Sequence, residues 1–172
     1  QLYGKCLHSY TIKEAIHDEA VLGFMVENLG AKDLNSDEER NVYESEEHMR
    51  KVLNVVLNQS YDKFGMNNGR GRTYEAILTT NSIERAQKYY DLLKKVKEGK
   101  DELKISDTVH KALPDFPRFA ITYSLAENEE ASTVNQEKMK KALKDYSEMF
   151  GSHYQVDAIN AYNRNLNERL AR

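Results

Sequence analysis

The stretch that decides the fold runs from Glu75 to Lys95, EAILTTNSIERAQKYYDLLKK. Tyr74, Ala76, Ile77 and Leu78 make a short, nearly continuous apolar run, the pattern of a strand buried on both faces of a parallel sheet. Thr79, Thr80, Asn81 and Ser82 form a polar corner, and beyond it Ile83, Ala86, Tyr90 and Leu93 recur on one face of a helix. Strand, corner and helix in this order predict a βα unit. Ser82 or Asn81 as N-cap stabilises the helix by about 1 kcal/mol, which explains one of the four polar residues. Four in a row exceed what a cap requires. They also fall beyond the carboxyl end of a predicted parallel strand, where open α/β sheets bind ligands and free helix N–H groups favour a phosphate. The residues alone leave two readings open, a phosphate-binding site and a well-capped turn.

Upstream, YTIKEAIHDEAVLGF has Thr11 as a candidate N-cap with Glu14 three residues later, a capping-box pattern that predicts a short helix. The apolar run Val21, Leu22, Phe24, Met25, Val26 predicts a strand after it. From Asp37 to about Phe64 one long helix or two abutting ones are expected, with Met49, Val52, Leu53, Val56, Leu57, Tyr61 and Phe64 on a shared face. GMNNGRGRT, residues 65–73, breaks that helix with three glycines. Downstream, KKVKEGKDELK is a charge run expected to be solvated, and Pro114 and Pro117 bracket an extended approach. RFAITYSLA, residues 118–126, is the third predicted strand. A helix from about Asn135 to Met149 is expected to bury Met139, Leu143 and Tyr146, with Gly151 stopping it. A last helix carries Val156, Ile159, Tyr162, Leu166 and Leu170. The expected fold class is therefore α/β with a small, mainly parallel sheet and substantial helical content; three strands are few for a self-contained sheet, so the domain reads as incomplete.

At 172 residues and 40% hydrophobic, the chain can bury one good core with an appended helical part. Its net charge of -3 argues against a dedicated basic nucleic-acid binder, so any DNA contact must be local. No apolar run approaches the roughly 20 residues of a membrane span, and no signal peptide is present. The first residue is Gln1, which suggests a processed chain or a segment cut from something larger. The single Cys6 excludes an intramolecular disulfide and suits a reducing cytoplasm.

Catalytic constellations are missing. GMNNGRGRT has Arg72 where a P-loop needs Lys, its glycines are wrongly spaced, and a strand follows where a helix should. Arg70 and Arg72 remain candidates for contact with a nucleic-acid backbone, against the plain alternative of a solvated basic loop. A metal-dependent nuclease gathers two or three carboxylates and a lysine at a sheet edge. Pro114 to Phe116 and Glu102 to Lys104 hold such residues in the wrong order and in a loop. His8, His17, His48, His110 and His153 lack metal-ligand spacing, and Cys6 two residues before His8 has no third group to orient a base. No catalytic residue and no metal ligand is assigned.

In their order and spacing, YGKCLHSYTIKEAIHDEAVLGF, EAILTTNSIERAQKYYDLLKK, RFAITYSLAENE and KALKDYSEMFGSHYQVDAINAYNRNLNERL together resemble the R (motor) subunit of type I restriction enzymes, which are DNA translocases and endonucleases of helicase superfamily 2. The resemblance covers nearly the whole chain and is weakest over residues 30–70 and 97–116. It implies a partial RecA-like domain, the start of the second motor lobe, with EAILTTNSIERAQKYY as helicase motif IV. Residues 1–28 would cross from the first lobe, 29–71 would be a helical insert and loop, and 72–172 the first part of the second lobe with trailing helices. The nuclease motif and the Walker motifs would lie upstream and motifs V and VI downstream, so the segment alone should neither hydrolyse ATP nor cut DNA. It should hold no cofactor itself; ATP and Mg2+ are implied for the intact parent. The implied partners are DNA and the methyltransferase and specificity subunits, in the cytoplasm and away from membranes. Thr79, Thr80, Asn81 and Ser82 then become candidate contacts to the DNA backbone, with Arg70 and Arg72 as neighbours. Two alternatives stay open: a free-standing α/β interaction or scaffold module with no nucleic-acid role, and the same lobe of another superfamily 2 helicase.

Overall fold

The computed structural model describes residues 9–21, 42–60, 75–124 and 129–170, with residues 129–132 described by their backbone alone. The chain divides into two compact units, Gln1–Asn35 and Ser36–Arg172. In the first, helix α1 spans Ile12–His17 and begins with the predicted capping box. Thr11 Oγ1 accepts from the Glu14 N–H at 3.3 Å, and the Glu14 carboxylate accepts from the Thr11 N–H at 2.6 Å. The expected strand at 21–26 lies outside the described residues apart from Val21, which is exposed in a bend.

The second unit is built from helices. Helix α2, Glu46–Asn54, is capped by Ser45 and continues into a π-helical turn at Val55–Gln59. Then come α3 at Ile83–Lys97, α4 at Asp107–Ala112, α5 at Glu129–Phe150, a 3-10 turn at Val156–Ala158 and α6 at Ile159–Leu170. The spacing of Met49, Leu53 and Leu57 puts all three in the core, as their periodicity predicts; Tyr61 and Phe64 lie outside the described residues. Gly99 and Gly151 both adopt φ of 70°, where a side chain would be strained, and each closes a helix. After α3 the Gly99 N–H reaches the Val96 carbonyl and the Lys100 N–H that of Lys95, the paired bonds of a Schellman motif.

Two apolar clusters share α3. Tyr89, Leu92 and Val96 pack with Met49, Leu53 and Leu57 of the α2 segment and with Ile105 and Val109. On another side Tyr90 joins Met139, Ala142, Leu143 and Tyr146 of α5 and Tyr162 of α6. The single apolar face expected for α3 is thus two faces. Its polar bonds show that α3 and α5 run parallel: Gln87 meets Asn135 and Lys138 near their starts, and Lys94 meets Asp145 further on. Tyr90 also donates to Asp145 at 3.0 Å, and burial, then the charge of Asp145, raises its phenol well above the ordinary tyrosine range.

The α/β expectation is overturned, and with it the small, mainly parallel sheet of a RecA-like lobe. No strand occurs among the described residues. Residues 75–80 are irregular, with Ile77 77% and Leu78 45% exposed, so the run read as a buried strand faces solvent. Residues 117–124 are also without regular structure: Phe119, Ala120, Ile121 and Tyr123 pack on the α3–α5–α6 cluster. Two of their backbone carbonyls accept from side chains. Tyr162 Oη donates to the Ile121 carbonyl at 2.7 Å and Lys97 Nζ to that of Pro117 at 2.7 Å. A short apolar run signals burial or extension but not a ladder partner, and here helices supply the packing. The charge run 94–104 is not uniformly solvated either, since Val96 and Asp101 are buried within it.

Candidate nucleic-acid interface

The corner is built as a helix cap. Ser82, with φ of -153° and ψ of 155°, accepts from the Arg85 N–H at 3.2 Å. Thr80 Oγ1 donates to the Ser82 carbonyl at 2.9 Å, and Arg85 reaches the Asn81 side-chain oxygen at 3.5 Å. Local bonds therefore engage three of the four polar residues. Thr79 is exposed and makes no side-chain hydrogen bond among the described residues. Asn81 and Ser82 are exposed too, so the corner stays open to solvent on its outer side.

Three side chains that the reading of the sequence did not single out complete this end of the fold. Arg85 lies one turn into α3, and its i, i+4 spacing from Asn81 was the available signal. Buried Gln87 donates to Tyr123 Oη at 3.1 Å and to Asn135 Oδ1 at 2.9 Å, while Lys138 Nζ donates back to its oxygen at 2.9 Å. Lys88 is neutralised by Glu84 at 2.7 Å. His48 of α2 is held below the ordinary histidine range by partial burial, then by the charges of Arg85 and Lys51. Among the described residues, Arg85 brings a positive side chain to the corner through its contact with Asn81. An anion meeting this surface would find Arg85, the Thr79 hydroxyl and the first amides of α3.

Arg70 and Arg72 lie outside the described residues, as do Cys6 and His8. No group of three or more His, Cys, Asp or Glu that could hold a metal ion occurs among the described residues. Ser147 Oγ and His153 Nδ1 share a short hydrogen bond, but among the described residues no carboxylate is bonded to the imidazole to orient it as a general base would need. No helix among the described residues is long and apolar enough to cross a membrane.

A family profile described as type I restriction enzyme subunit R domain 3 matches residues 72–172, more than half of the chain. A type I restriction enzyme endonuclease subunit of Staphylococcus saprophyticus is 29% identical over 166 residues, which covers 88% of this chain and 16% of that protein. One from Staphylococcus aureus strain COL is 25% identical over 185 aligned residues, covering 98% of this chain and 18% of that protein. The chain thus spans less than a fifth of the length of the curated relatives it matches. No solved structure matches it.

Proposed function

Because the chain belongs to the type I restriction enzyme subunit R family, we propose that it is a non-catalytic part of an ATP-dependent DNA translocase and endonuclease, and that its corner touches the DNA backbone. The observation that carries this reading is the family match over residues 72–172, which contains the whole corner. The exposed Thr79 hydroxyl, the start of α3 and Arg85 supply donors for a phosphate, and contacts to the backbone of this kind are blind to sequence, as translocation requires. Arg70 and Arg72, which precede the corner in the sequence, are further candidates for the same contact. Closing against the remainder of the motor is the chain's second contribution. DNA is the substrate, the methyltransferase and specificity subunits are the partners, and the cytoplasm is the compartment this reading implies. ATP and Mg2+ are implied for the intact parent, and the sequence has no glycine-rich lysine loop for a triphosphate.

The test is duplex-DNA affinity and translocation rate in the intact subunit carrying Thr79→Ala with Arg85→Ala, and separately Arg70→Ala with Arg72→Ala. Each pair should weaken binding several-fold for every DNA sequence alike, and each lost arginine should reduce the salt slope by about 1. Wild-type affinity and rate in both pairs would refute the contact. A second reading, an interaction or scaffold module without a nucleic-acid role, is favoured by the local bonds that already engage Thr80, Asn81 and Ser82. It predicts no salt-dependent DNA binding, so the same titration separates the two.

A further inference from the structure

We propose that the open groove between the second half of α5 and residues 153–157 is a binding site for a single nucleotide, with its phosphate on Lys140, Lys144 and His153 and its base against Tyr154. The groove has two overlapping parts, of about 330 and about 450 Å³, which share Lys140, Leu143 and Tyr154. The first part adds Lys144, Ser147, Glu148 and His153, and the second adds Gln155, Val156 and Asp157. Volumes in this range suit a small ligand.

The phosphate end follows from charge. Lys140 and Lys144 stand four residues apart on one helix face, where like charges repel. Both are exposed, and neither has an ion-pair partner among the described residues, although Glu148 is spaced for one with Lys144. The Ser147 bond occupies His153 Nδ1, which leaves Nε2 free to serve a ligand. One anion would relieve the repulsion and collect three donors.

The base end follows from shape and polarity. The Tyr154 ring packs against Tyr162 with centroids 5.9 Å apart and still lines both parts of the groove. Val156 adds apolar surface over the buried Leu143, while Gln155 and Asp157 bring an amide and a carboxylate to the same part of the groove for a base edge. Glu148 and Asp157 also decide the length of the ligand. Glu148 lines one part of the groove and Asp157 the other, so a run of phosphates through both parts would meet carboxylates, and the groove takes one phosphate, from a free nucleotide or from the 5′ end of a strand.

The 172-residue chain is titrated with inorganic phosphate, with AMP and with a short 5′-phosphorylated oligodeoxyadenylate, following amide shifts of residues 140–157 by NMR. Saturable shifts there with AMP or the oligonucleotide are expected, and which of the two binds more tightly identifies the source. Lys140→Glu with Lys144→Glu should weaken that binding about tenfold or more. Tyr154→Leu should weaken AMP but spare inorganic phosphate. Thr79→Ala with Arg85→Ala should leave the groove unchanged, so failure of the corner as a DNA contact and failure of this site are read separately. No saturable shift with AMP or the oligonucleotide, or unchanged affinity in the lysine double variant, would overturn the proposal.

Discussion

Arg50 and Asp101 lie far apart in sequence, yet the guanidinium Nε sits 3.1 and 3.2 Å from the two carboxylate oxygens of an aspartate whose side chain is only 3% exposed. Glu46 and Glu102 also touch Arg50, both from exposed positions. Burial alone would push the Asp101 carboxyl up; the bonds from Arg50 and from the Leu103 N–H outweigh it and hold the group below its ordinary value. Removing the arginine strands a buried charge. Arg50→Ala should therefore cost about 3 kcal/mol in urea unfolding at neutral pH, far more than an exposed pair such as Lys51–Glu47 would. A cost under about 1 kcal/mol would show that water reaches Asp101. His48 gives a prediction of the same sign as Asp101, at a higher pH, because its folded form too is held below the ordinary value. Its folded form resists protonation, so the unfolded chain binds the proton first, and the stability it contributes is lost as pH falls through about 6.5. Tyr43 meets its ring edge-on, and Arg85 and Lys51 are the charges facing it. His48→Gln should flatten the stability profile between about pH 7.5 and 5.5; an unchanged slope would place the titration elsewhere.

At the scale of elements, helix ends set local stability more sharply than helix interiors. A Cβ at Gly99 would meet no neighbour, so Gly99→Ala tests conformation alone and should cost about 1 kcal/mol through the φ of 70°. Ser82→Ala should cost about 1 kcal/mol through the lost cap. A loss in Tm for neither would mean that these ends fray without consequence for the fold. Such ends were also what the sequence revealed most clearly: Thr11 with Glu14, Ser82, and Gly151 are local signals, carried by residues within one turn. Helix α4 escaped notice although Ser106 caps it and Pro114 follows it closely, because six residues hold too little periodicity. The strands failed for the converse reason. Ile77, Leu78 and the 119–123 run are apolar, but a strand is defined by a partner that composition does not name. The corner was legible as a polar cluster; the local engagement of Thr80, Asn81 and Ser82 was not, nor was the gathering of Gln87, Tyr123, Asn135 and Lys138 across three segments.

For residues 36–172 as a whole, α3 is the shared wall of two cores, and that arrangement sets the cooperativity. Leu53 on one side is 1% exposed and Met139 on the other 0%, so truncating either leaves a cavity that the packing cannot fill. Leu53→Ala and Met139→Ala should each cost about 2–5 kcal/mol. Helix α3 carries side chains into both clusters, Tyr89, Leu92 and Val96 into one and Tyr90 into the other, and the 113–123 segment also packs on both. If α3 transmits the loss, Leu53→Ala should speed amide exchange in α5 and α6 as well as in α2, by a factor close to its global effect. Met139→Ala should act on α2 in the same way. Exchange that accelerates only in the helices of the mutated cluster would mean that each core opens alone, with α3 surviving on whichever face stays packed. The polar bonds argue for the coupled outcome. Lys94 and Tyr90 tie α3 to Asp145, Lys97 ties it to the 115–117 turn, and Gln87 ties it to Tyr123 and Asn135. Loss of the α5 side would break the bonds of Gln87, Tyr90 and Lys94 together and expose a face of α3, which weakens the helix that the other cluster also needs.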